Sequence, residues 1–411
     1  MTTRREFLTT AAAGAAALTA APYVIADDRV KGANERPNVG FIGTGGRAGA
    51  HIGHVLNLKS RGLCEIVAVC DVYGPRVQDA AKRTGGKIYR NYKELLADPR
   101  VDVVCIATPD RHHAPQAIDA VRAGKDVYCE KPLTHWSQMD LARQLGEETA
   151  KHKRIVQVGT QYVADDAYDE ARKLIKEGII GKIVQVQAGY FRRGDWGERM
   201  PIPDPNAKPG PDLDWEQFLG DAPKVDFSVS RFFQWRLYWD YAGGPSTDLL
   251  VHVFTPIFRL LDLDFPERVL GGGGNFQYSR EVPDQCNLIA DYAGGPSVVL
   301  MNSLSNFTGI DTIIRGTDGL IKFGDIEHFG PGIRIVPVDK AKKEVMVPWR
   351  GAGDTQKLWD NFIQCVKTRQ RPFSPIDIAV RVQAPLNMAI LSHRENKVAK
   401  YDKATGKIVL G

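Results

Sequence analysis

The sequence predicts an α/β protein in two parts, an N-terminal doubly wound parallel sheet and a C-terminal α+β domain with a large open, mostly antiparallel sheet. Three observations support this division. Short apolar runs alternate with helical patterns up to Val158, which is typical of parallel strands joined by crossover helices. A glycine-rich turn follows the first of these runs. Beyond about residue 157 apolar and polar residues alternate, which indicates strands buried on one face.

The composition is that of an ordinary globular chain. Its 411 residues are 43% hydrophobic and 25% charged, and 54 Lys and Arg against 49 Asp and Glu give a net charge of +5. Because the basic residues are scattered, we expect no nucleic-acid partner. The six cysteines form no C-x-x-C pair and most lie in apolar runs. This favours buried thiols over disulfides or a zinc site, and we expect no bound metal.

The first 26 residues have the features of an export signal. Arg4 and Arg5 precede an uncharged, Ala-rich run at 9–21, which is too short to cross a bilayer of about 30 Å. With Val24-Ile25-Ala26 before Asp27, the segment resembles a bacterial twin-arginine (Tat) signal cleaved after Ala26. The alternative is a frayed helix with two chance arginines. We therefore expect a periplasmic or otherwise extracytoplasmic protein without a stable membrane span.

Three segments follow the signal in the predicted organisation. Residues 27–36 form a polar linker, 37–156 a nucleotide-binding domain, and 157–411 a domain for substrate binding and oligomerisation.

The glycine-rich turn predicts a dinucleotide site. Residues 39–42 (VGFI) run directly into 43–48 (GTGGRA), which has the pattern G-x-G-x-x-A. The first glycine permits a tight turn, the second lets the backbone approach a pyrophosphate, and the small third residue lets the helix pack on its strand. The start of the helix adds amide donors. The pattern is typical of a Rossmann domain, and the expected nucleotide contacts are Gly43, Thr44, Gly45, Gly46 and Arg47.

Asp71 follows the second apolar run, residues 66–70. In a dinucleotide site such a residue accepts hydrogen bonds from the adenosine ribose and opposes a 2′-phosphate, which favours NAD over NADP. The spacing of 28 residues from Gly43 is longer than the usual 20 or so. We expect residues 57–62 to absorb the difference as a loop. The alternative is that Asp71 only caps a loop.

Two further segments stand at the carboxyl ends of predicted strands. Residues 107–113 (ATPDRHH) follow the apolar run that begins at Val101, and 123–132 (AGKDVYCEKP) end on Glu130-Lys131-Pro132. In this setting E-K-P resembles the hallmark of the Gfo/Idh/MocA family of glucose-fructose oxidoreductases and inositol dehydrogenases. The resemblance covers essentially the whole chain after the leader, because three later segments also fit: 157–161 (QVGTQ), 243–252 (GGPSTDLLVH) and 315–319 (RGTDG).

The resemblance implies roles for the residues of these segments. It places Lys131 beside the nicotinamide and the reacting carbinol, where an ammonium can stabilise an alkoxide or shuttle its proton. The alternative is a lysine that only pairs with Glu130. It places His113 near the nicotinamide ribose, with a helix cap as the alternative. The further expected cofactor contacts are Thr108, Pro109, Glu130 and Gln161.

Asp248 and His252 are the informative pair of the second domain. Four residues apart, they are expected to project from one face of a helix. The resemblance makes His252 the proton acceptor from a sugar hydroxyl and Asp248 a residue that binds and orients. A histidine pKa of about 6.5 suits proton exchange near neutral pH. The alternatives are a helix cap and a satisfied core histidine, and a metal pair lacks a third ligand.

Aromatic segments at 190–196 (YFRRGDW) and 232–239 (FFQWRLYW) precede this pair. Rings interleaved with Arg and Asp resemble a carbohydrate platform, so Arg192, Trp235 and Tyr238 are expected to contact substrate. The alternative is a core under a long loop.

The rest of the second domain predicts strands, turns and one helix. Alternation around Val184 predicts a strand with one apolar face, residues 292–296 a turn, and 358–366 a helix. Four glycines at 271–274 have no helical pattern after them, so they are expected to be a loop. The resemblance implies a homodimer or homotetramer formed through the sheet.

The expected function is an exported NAD-dependent oxidoreductase acting on a hydroxyl of a sugar, polyol or glycoside. An exported protein meets no pool of soluble NAD, so the cofactor is expected to be tightly bound and recycled internally. The alternative is an NAD-dependent glycoside hydrolase working by transient oxidation and elimination. Such hydrolases lack the E-K-P lysine, so Lys131 favours the oxidoreductase. Lys131 and His252 together disfavour a non-catalytic sugar-binding protein.

Overall fold

The computed structural model describes residues 36–194, 200–323 and 330–411. The predicted leader, most of the linker, and Asp195 and Trp196 of the first aromatic segment lie outside these residues. Within the described ranges, no helix has the length and apolar character needed to cross a bilayer.

Parallel strands form the N-terminal sheet, in the order β3-β2-β1-β4-β5-β6. The strands are β1 (Asn38–Ile42), β2 (Glu65–Cys70), β3 (Lys87–Tyr89), β4 (Val103–Ile106), β5 (Asp126–Cys129) and β6 (Val156–Val158). The helices are α1 (Gly46–Ser60), α2 (Gly74–Thr84), α3 (Tyr92–Ala97), α4 (Asp110–Arg122) and α5 (Met139–His152). The strand order reverses between β1 and β4, and ligands bind at the carboxyl ends of strands at such a switch point. The predicted doubly wound sheet is confirmed.

The core of this sheet is built from the apolar runs that predicted it. Every residue of β4 and β5 is buried, as expected for strands covered by helices on both faces. One face of α4 is apolar and buried as well, at Ala114, Ala117, Ile118 and Val121. All six cysteines are buried free thiols, as predicted.

The long spacing between Gly43 and Asp71 is absorbed by a helix. The prediction of a loop at residues 57–62 was wrong, because α1 continues to Ser60. Leu58 in its last turn is fully buried, and the Arg61 amide donates to the Asn57 carbonyl oxygen over 3.2 Å. Buried apolar contacts thus keep this polar stretch helical.

The second sheet is open and mostly antiparallel, as predicted. Its order is β15-β14-β13-β12-β7-β10-β9-β8-β16-β17, with β11 paired to β7, and within the described residues only β7 and β10 run parallel. The strands are β7 (Ile183–Arg193), β8 (Arg268–Gly274), β9 (Gln285–Asp291), β10 (Ser297–Ser303), β11 (Ser305–Asn306), β12 (Thr312–Gly316), β13 (Gly319–Phe323), β14 (Gly332–Pro337), β15 (Val345–Pro348), β16 (Ala399–Asp402) and β17 (Lys407–Leu410).

The helices of the C-terminal part are α6 (Ala167–Lys176), α7 (Trp215–Leu219), α8 (Val229–Phe233), α9 (Pro245–Asp248), α10 (Leu250–Leu261), α11 (Thr355–Thr368) and α12 (Ile376–Glu395). Four of them, α6, α9, α10 and α12, cover one face of this sheet. In β7, Val186 and Ala188 are fully buried beneath them while Val184 is 45% exposed. The predicted turn at 292–296 joins β9 to β10.

The glycine run at 271–274 is part of strand β8, so the prediction of a loop was wrong. A Cβ atom on Gly271 would lie 1.9 Å from the Ala389 carbonyl oxygen of α12. Glycine therefore lets the helix pack directly against the strand. Without side chains the run lacks the alternation that predicts a strand.

Helix α11 contains the helix predicted at 358–366, and it packs against α1 of the N-terminal domain. Its Trp359 and Phe362 are fully buried beside Tyr128 of β5. The C-terminal part of the chain thus completes the core of the N-terminal domain.

Candidate active site

A cavity of ≈ 1050 Å³ opens at the carboxyl ends of the parallel strands, where the two domains meet. This exceeds the roughly 300–1,000 Å³ of most small-molecule sites, so it can hold a dinucleotide and a small substrate together. Most predicted site residues line it: Gly43, Gly45, Gly46, Arg47, Asp71, Thr108, Pro109, His113, Glu130, Lys131, Gln161, Arg192, Trp235, Asp248 and His252. The two predicted site residues that do not line it are Thr44 and Tyr238.

The glycine-rich turn fits a dinucleotide. Gly43 has a φ of +82°, and a Cβ atom there would lie 2.8 Å from the Ala107 carbonyl oxygen, so only glycine is accommodated. Gly45 precedes α1 and provides no side-chain cap. The first amides of α1 are therefore available to a pyrophosphate, whose charge the helix dipole favours.

Asp71 both shapes this turn and lines the cavity. Its Oδ2 accepts hydrogen bonds from the Thr44 amide at 2.7 Å and the Thr44 hydroxyl at 3.1 Å, and its Oδ1 accepts from the Tyr73 amide at 2.9 Å. The loop-capping alternative is thus present in the structure. Thr44 is a buried partner of Asp71, which explains why it does not line the cavity.

Glu130 is buried at the end of β5 and is held by two side chains of α1. Its Oε1 accepts from Arg47 Nε at 2.9 Å and lies 2.7 Å from His51 Nε2, while its Oε2 accepts from the Lys131 amide at 3.1 Å. Burial by itself would raise the pKa of Glu130, but Arg47 and His51 hold that pKa well below its usual range. Glu130 is therefore ionised, and its carboxylate holds Arg47, His51 and the Lys131 amide in position.

The side-chain ammonium of Lys131 contacts Asp248. It does not form the ion pair with Glu130 that the alternative required. Its Nζ donates to Asp248 Oδ1 at 2.5 Å and to the Asp248 carbonyl oxygen at 2.8 Å. Burial opposes ionisation of Asp248, but Lys131 and Arg236 hold the pKa of this carboxyl well below its usual range. Arg236 Nε lies 3.5 Å from Asp248 Oδ1. Asp248 thereby joins the E-K-P segment to the second domain.

His252 lies in the first turn of α10, whereas Asp248 ends α9. The expectation of one continuous helix was wrong, because the chain departs from helical geometry at Leu249 (φ −112°, ψ −50°). Both side chains still line the cavity. His252 is 7% exposed, and its Nδ1 has no hydrogen-bond partner in the part of the chain that is described. Burial, together with nearby Lys131, lowers the pKa of His252 well below its usual value, so the ring is neutral.

His113 connects α4 to the Lys131–Pro132 turn. Its Nδ1 lies 2.6 Å from the Pro132 carbonyl oxygen and its Nε2 lies 2.8 Å from the Thr108 carbonyl oxygen. Burial lowers the pKa of His113 to about 4. A neutral ring donates from only one nitrogen. Since α4 begins after Pro109, His113 is not the helix cap of the alternative reading.

Gln161 and Trp235 are brought to the cavity wall as predicted, and Tyr238 is not. Gln161 Oε1 is buried without a partner among the described residues. Trp235 lies under the Arg236 guanidinium, 4.1 Å from ring centroid to Cζ. Tyr238 instead donates to Ser230 Oγ at 2.8 Å, and its ring packs against an aromatic cluster whose Phe232, Phe233 and Trp235 line the cavity. The alternative of a local core therefore holds for Tyr238.

Comparison with known proteins decides the family. The model of the oxidoreductase family GFO_IDH_MocA, NAD-binding Rossmann fold, matches residues 37–160, and the model of its C-terminal alpha/beta domain matches residues 164–410. The chain belongs to the Gfo/Idh/MocA family. It is thus an oxidoreductase with an NAD-binding Rossmann domain, and the predicted cofactor, NAD, is confirmed.

Similar proteins of this family include inositol 2-dehydrogenases. That of Rubrobacter xylanophilus is 33% identical over 219 residues, 53% of this chain and 58% of the relative. That of Gluconacetobacter diazotrophicus is 28% identical over 232 residues, 54% of this chain and 63% of the relative. The matched regions therefore span less than two thirds of these relatives.

Solved structures of similar fold support the Gfo/Idh/MocA architecture. A levoglucosan dehydrogenase in complex with NADH has a TM-score of 0.67 at 20% identity, covering 89% of this chain and 98% of that one. The WlbA dehydrogenase from Bordetella pertussis, in complex with NADH and UDP-GlcNAcA, has a TM-score of 0.65 at 18% identity, with the same coverage.

Some site residues of this Gfo/Idh/MocA chain were missed by the sequence analysis. Arg236 lies in a segment that was singled out, yet it was not assigned to the site. His51 stands four residues after Arg47 on α1, so the two share a helix face, and this spacing could have identified it. Trp359 contacts His51 from a helix 308 residues away, and no local pattern signals that contact.

No group of three or more His, Cys, Asp or Glu residues in the described ranges is arranged to hold a metal ion.

Proposed function

We propose that this chain oxidises a secondary hydroxyl of a polyol or sugar with NAD. One observation carries the proposal: the cavity that begins at the glycine-rich turn ends at Lys131, Asp248 and His252, three groups suited to hold and deprotonate a hydroxyl. The names of the similar proteins, inositol 2-dehydrogenase and levoglucosan dehydrogenase, support a polyol or sugar as the substrate class.

His252 is the proton acceptor in this proposal. His252 lines the cavity, and its ring is neutral because burial lowers its pKa. A neutral imidazole keeps a lone pair on one of its two nitrogens, and that nitrogen can accept a hydroxyl proton.

Lys131 holds the substrate oxygen. A lysine ammonium has three donors, and two of them go to Asp248, so a third is available to the oxygen as negative charge develops on it. Asp248 fixes the ammonium and, with Arg236, orients neighbouring hydroxyls.

The cofactor is held by the other end of the cavity. The α1 amides after Gly45 would bind the pyrophosphate, Asp71 would face the adenosine ribose, and the nicotinamide would lie toward Lys131. Bound NAD supplies the hydride acceptor.

We also propose export, tight cofactor binding and self-association for this protein. Residues 1–26 support export through their Tat-like pattern. Since an exported protein meets no pool of soluble NAD, export in turn supports a tightly bound cofactor that is reoxidised on the enzyme. Exposed apolar side chains on the second sheet, Leu270 and Ile289 among them, support a homodimer or homotetramer formed through that sheet.

The test of the proposed activity is reduced-nicotinamide absorbance. Purified full-length protein is mixed with a panel of polyols, sugars and glycosides, with and without added NAD. Reduced nicotinamide that appears with a polyol or sugar supports the proposal. Glycoside cleavage without net reduction would assign the hydrolase activity instead, and no reaction with any member would contradict both.

A further inference from the structure

A buried hydrogen-bond network links helix α11 to the E-K-P segment. Trp359 Nε1 donates to His51 Nδ1 over 2.9 Å, and His51 Nε2 lies 2.7 Å from Glu130 Oε1. Trp359 and His51 are fully buried, and Glu130 is 4% exposed. Since the Glu130 carboxylate also accepts from the Lys131 amide, the network runs from the C-terminal part of the chain to the lysine of the site.

These contacts define the tautomer of His51. An indole N–H can only donate, so His51 Nδ1 must be an unprotonated acceptor. Burial lowers the pKa of His51, which keeps the ring neutral. Its one proton is therefore on Nε2, where it is donated to Glu130 Oε1. The ionised Glu130 carboxylate can only accept, so it requires the same Nε2 proton. Without the Trp359 donor the tautomer would stay, but the buried Nδ1 acceptor would lose its partner and the ring would be held on one side only.

Glu130 transmits this constraint to the cavity. Its Oε1 also accepts from Arg47 Nε at 2.9 Å, and its Oε2 accepts from the Lys131 amide at 3.1 Å. Gly159 allows this arrangement, because a Cβ atom there would lie 2.7 Å from Glu130 Oε1. Rotation of the carboxylate would break contacts to both Arg47 and Lys131.

The orientation of the indole is fixed by packing. Trp359 stacks on Tyr128 with ring centroids 4.2 Å apart and planes inclined by 4°. Phe362, one turn later on α11, meets the rings of Tyr128 and Trp359 edge-on at 5.6 and 5.7 Å. Phe362 shares this environment but carries no hydrogen-bond donor, so it offers a matched control.

We propose that Trp359 and His51 are positioning residues for the reaction at Lys131. They fix Glu130 in one orientation, and Glu130 in turn fixes the backbone of Lys131 and the side chain of Arg47 at the cavity. The inference rests on the proposed function, because Lys131 has a reaction to perform only there.

The first experiment observes the tautomer without reference to activity. The full-length protein has nine histidines, and selective ¹⁵N-histidine labelling with the His51→Gln variant as reference assigns the His51 ring. We expect protonated Nε2 and unprotonated Nδ1 in the unaltered protein. In Trp359→Phe, which keeps a ring on Tyr128, Nε2 should stay protonated while the Nδ1 shift moves toward that of an unprotonated nitrogen without a hydrogen bond. An unchanged Nδ1 shift in Trp359→Phe would overturn the proposal.

The second experiment separates positioning from packing. Trp359→Phe should lower kcat about tenfold, the size of one lost buried hydrogen bond, while the KM for the hydroxyl substrate changes less than about twofold. Phe362→Leu should destabilise the fold without that loss of kcat. His51→Gln can donate to Glu130 and accept from Trp359, so it should retain more activity than His51→Leu.

Two outcomes distinguish the failure of this inference from failure of the proposed function. An unaltered protein that oxidises no polyol or sugar would contradict the function, and the Nδ1 shift would still report whether Trp359 holds the His51 ring. An active enzyme in which Phe362→Leu and Trp359→Phe lower kcat equally would contradict the positioning role alone.

Discussion

The two ends of the cavity differ in how completely their buried polar groups are paired. At the Glu130 end, defined by Glu130, His51 and Arg47, the Glu130 carboxylate and both His51 ring nitrogens have partners. At the His252 end, defined by His252 and Gln161, His252 Nδ1 and Gln161 Oε1 have none within the described residues.

Pairing alone does not separate structural groups from binding groups. An unpaired buried polar atom costs about 1–3 kcal/mol, and within the described residues such atoms also occur away from the cavity, at the Tyr168 and Tyr292 hydroxyls. His252 and Gln161 differ because both also line the cavity. We therefore expect the Glu130 end to hold its geometry in the free protein and the His252 end to be completed by what binds there. Lys131 belongs to both ends, since its amide contacts Glu130 and its ammonium contacts Asp248.

The largest expected effect is at this shared residue. Lys131→Met keeps most of the side chain but removes the ammonium, so kcat/KM should fall by about two to four orders of magnitude. NADH affinity, measured by fluorescence titration, should change little. Lys182→Met, at an exposed lysine, is the control. A comparable loss of kcat/KM in both variants, or near-full activity of Lys131→Met, would show that Lys131 does not take part in the reaction.

The second prediction concerns cofactor preference at Asp71, whose carboxylate is paired with the glycine-rich turn. Asp71→Ser removes a carboxylate that opposes a 2′-phosphate while Arg76 and Arg90 remain on the cavity wall. NAD affinity should fall about 10- to 100-fold, and NADP should gain relative to NAD. Asp79→Ser on the exposed face of α2 should leave both affinities unchanged. A preference for NADP in the unaltered protein would contradict the role assigned to Asp71.

The third prediction concerns Asp110. In contrast to Glu130, it has a buried carboxyl oxygen, Oδ1, without a partner in the described residues. Burial raises the pKa of Asp110 to about 8, although Arg236 acts in the other direction. The native state therefore binds more protons than the unfolded chain between about pH 4 and 8, and stability from this group falls as pH rises through that range.

Asn resembles the protonated acid, so Asp110→Asn should remove this pH dependence. At pH about 8 its free energy of unfolding should exceed that of the unaltered protein by up to about 5 kcal/mol, and at pH about 4 the two should agree. Urea titrations across this range measure both. Lower stability of Asp110→Asn at the alkaline end would show that the charged form is the native one.

The smallest expected effect is at Tyr238, which faces away from the cavity. Tyr238→Phe removes only the hydrogen bond to Ser230 Oγ, so stability should fall by about 1 kcal/mol and turnover should change less than about twofold. Trp235→Leu is the matched change on the cavity wall and should raise the KM. A turnover loss in Tyr238→Phe larger than in Trp235→Leu would show that Tyr238 contacts the substrate after all.

The sequence predicted those parts of the molecule whose structure is indicated by residues that are neighbours in the chain. The apolar runs of β4 and β5, the glycine-rich turn and the E-K-P segment each combine a strand with the residues that follow it. The Asp248 and His252 pair was likewise predicted from its spacing, and the structure brings both to the cavity despite the helix break at Leu249.

The parts that were missed depend on contacts between distant residues. The strand at Gly271 exists because the Ala389 backbone of α12 packs against it. The direction of Tyr238 is set by its aromatic cluster, and the Nδ1 atom of His51 is held by Trp359. None of these contacts leaves a periodic pattern in the segment itself.

The central claim is that the His252 end accepts a hydroxyl proton when NAD is bound. The most direct measurement is single-turnover formation of reduced nicotinamide from the best polyol or sugar, comparing the unaltered enzyme with His252→Ala. The account predicts a rate lower by about two to four orders of magnitude, with NADH affinity unchanged within about twofold. Near-full turnover of His252→Ala would contradict it.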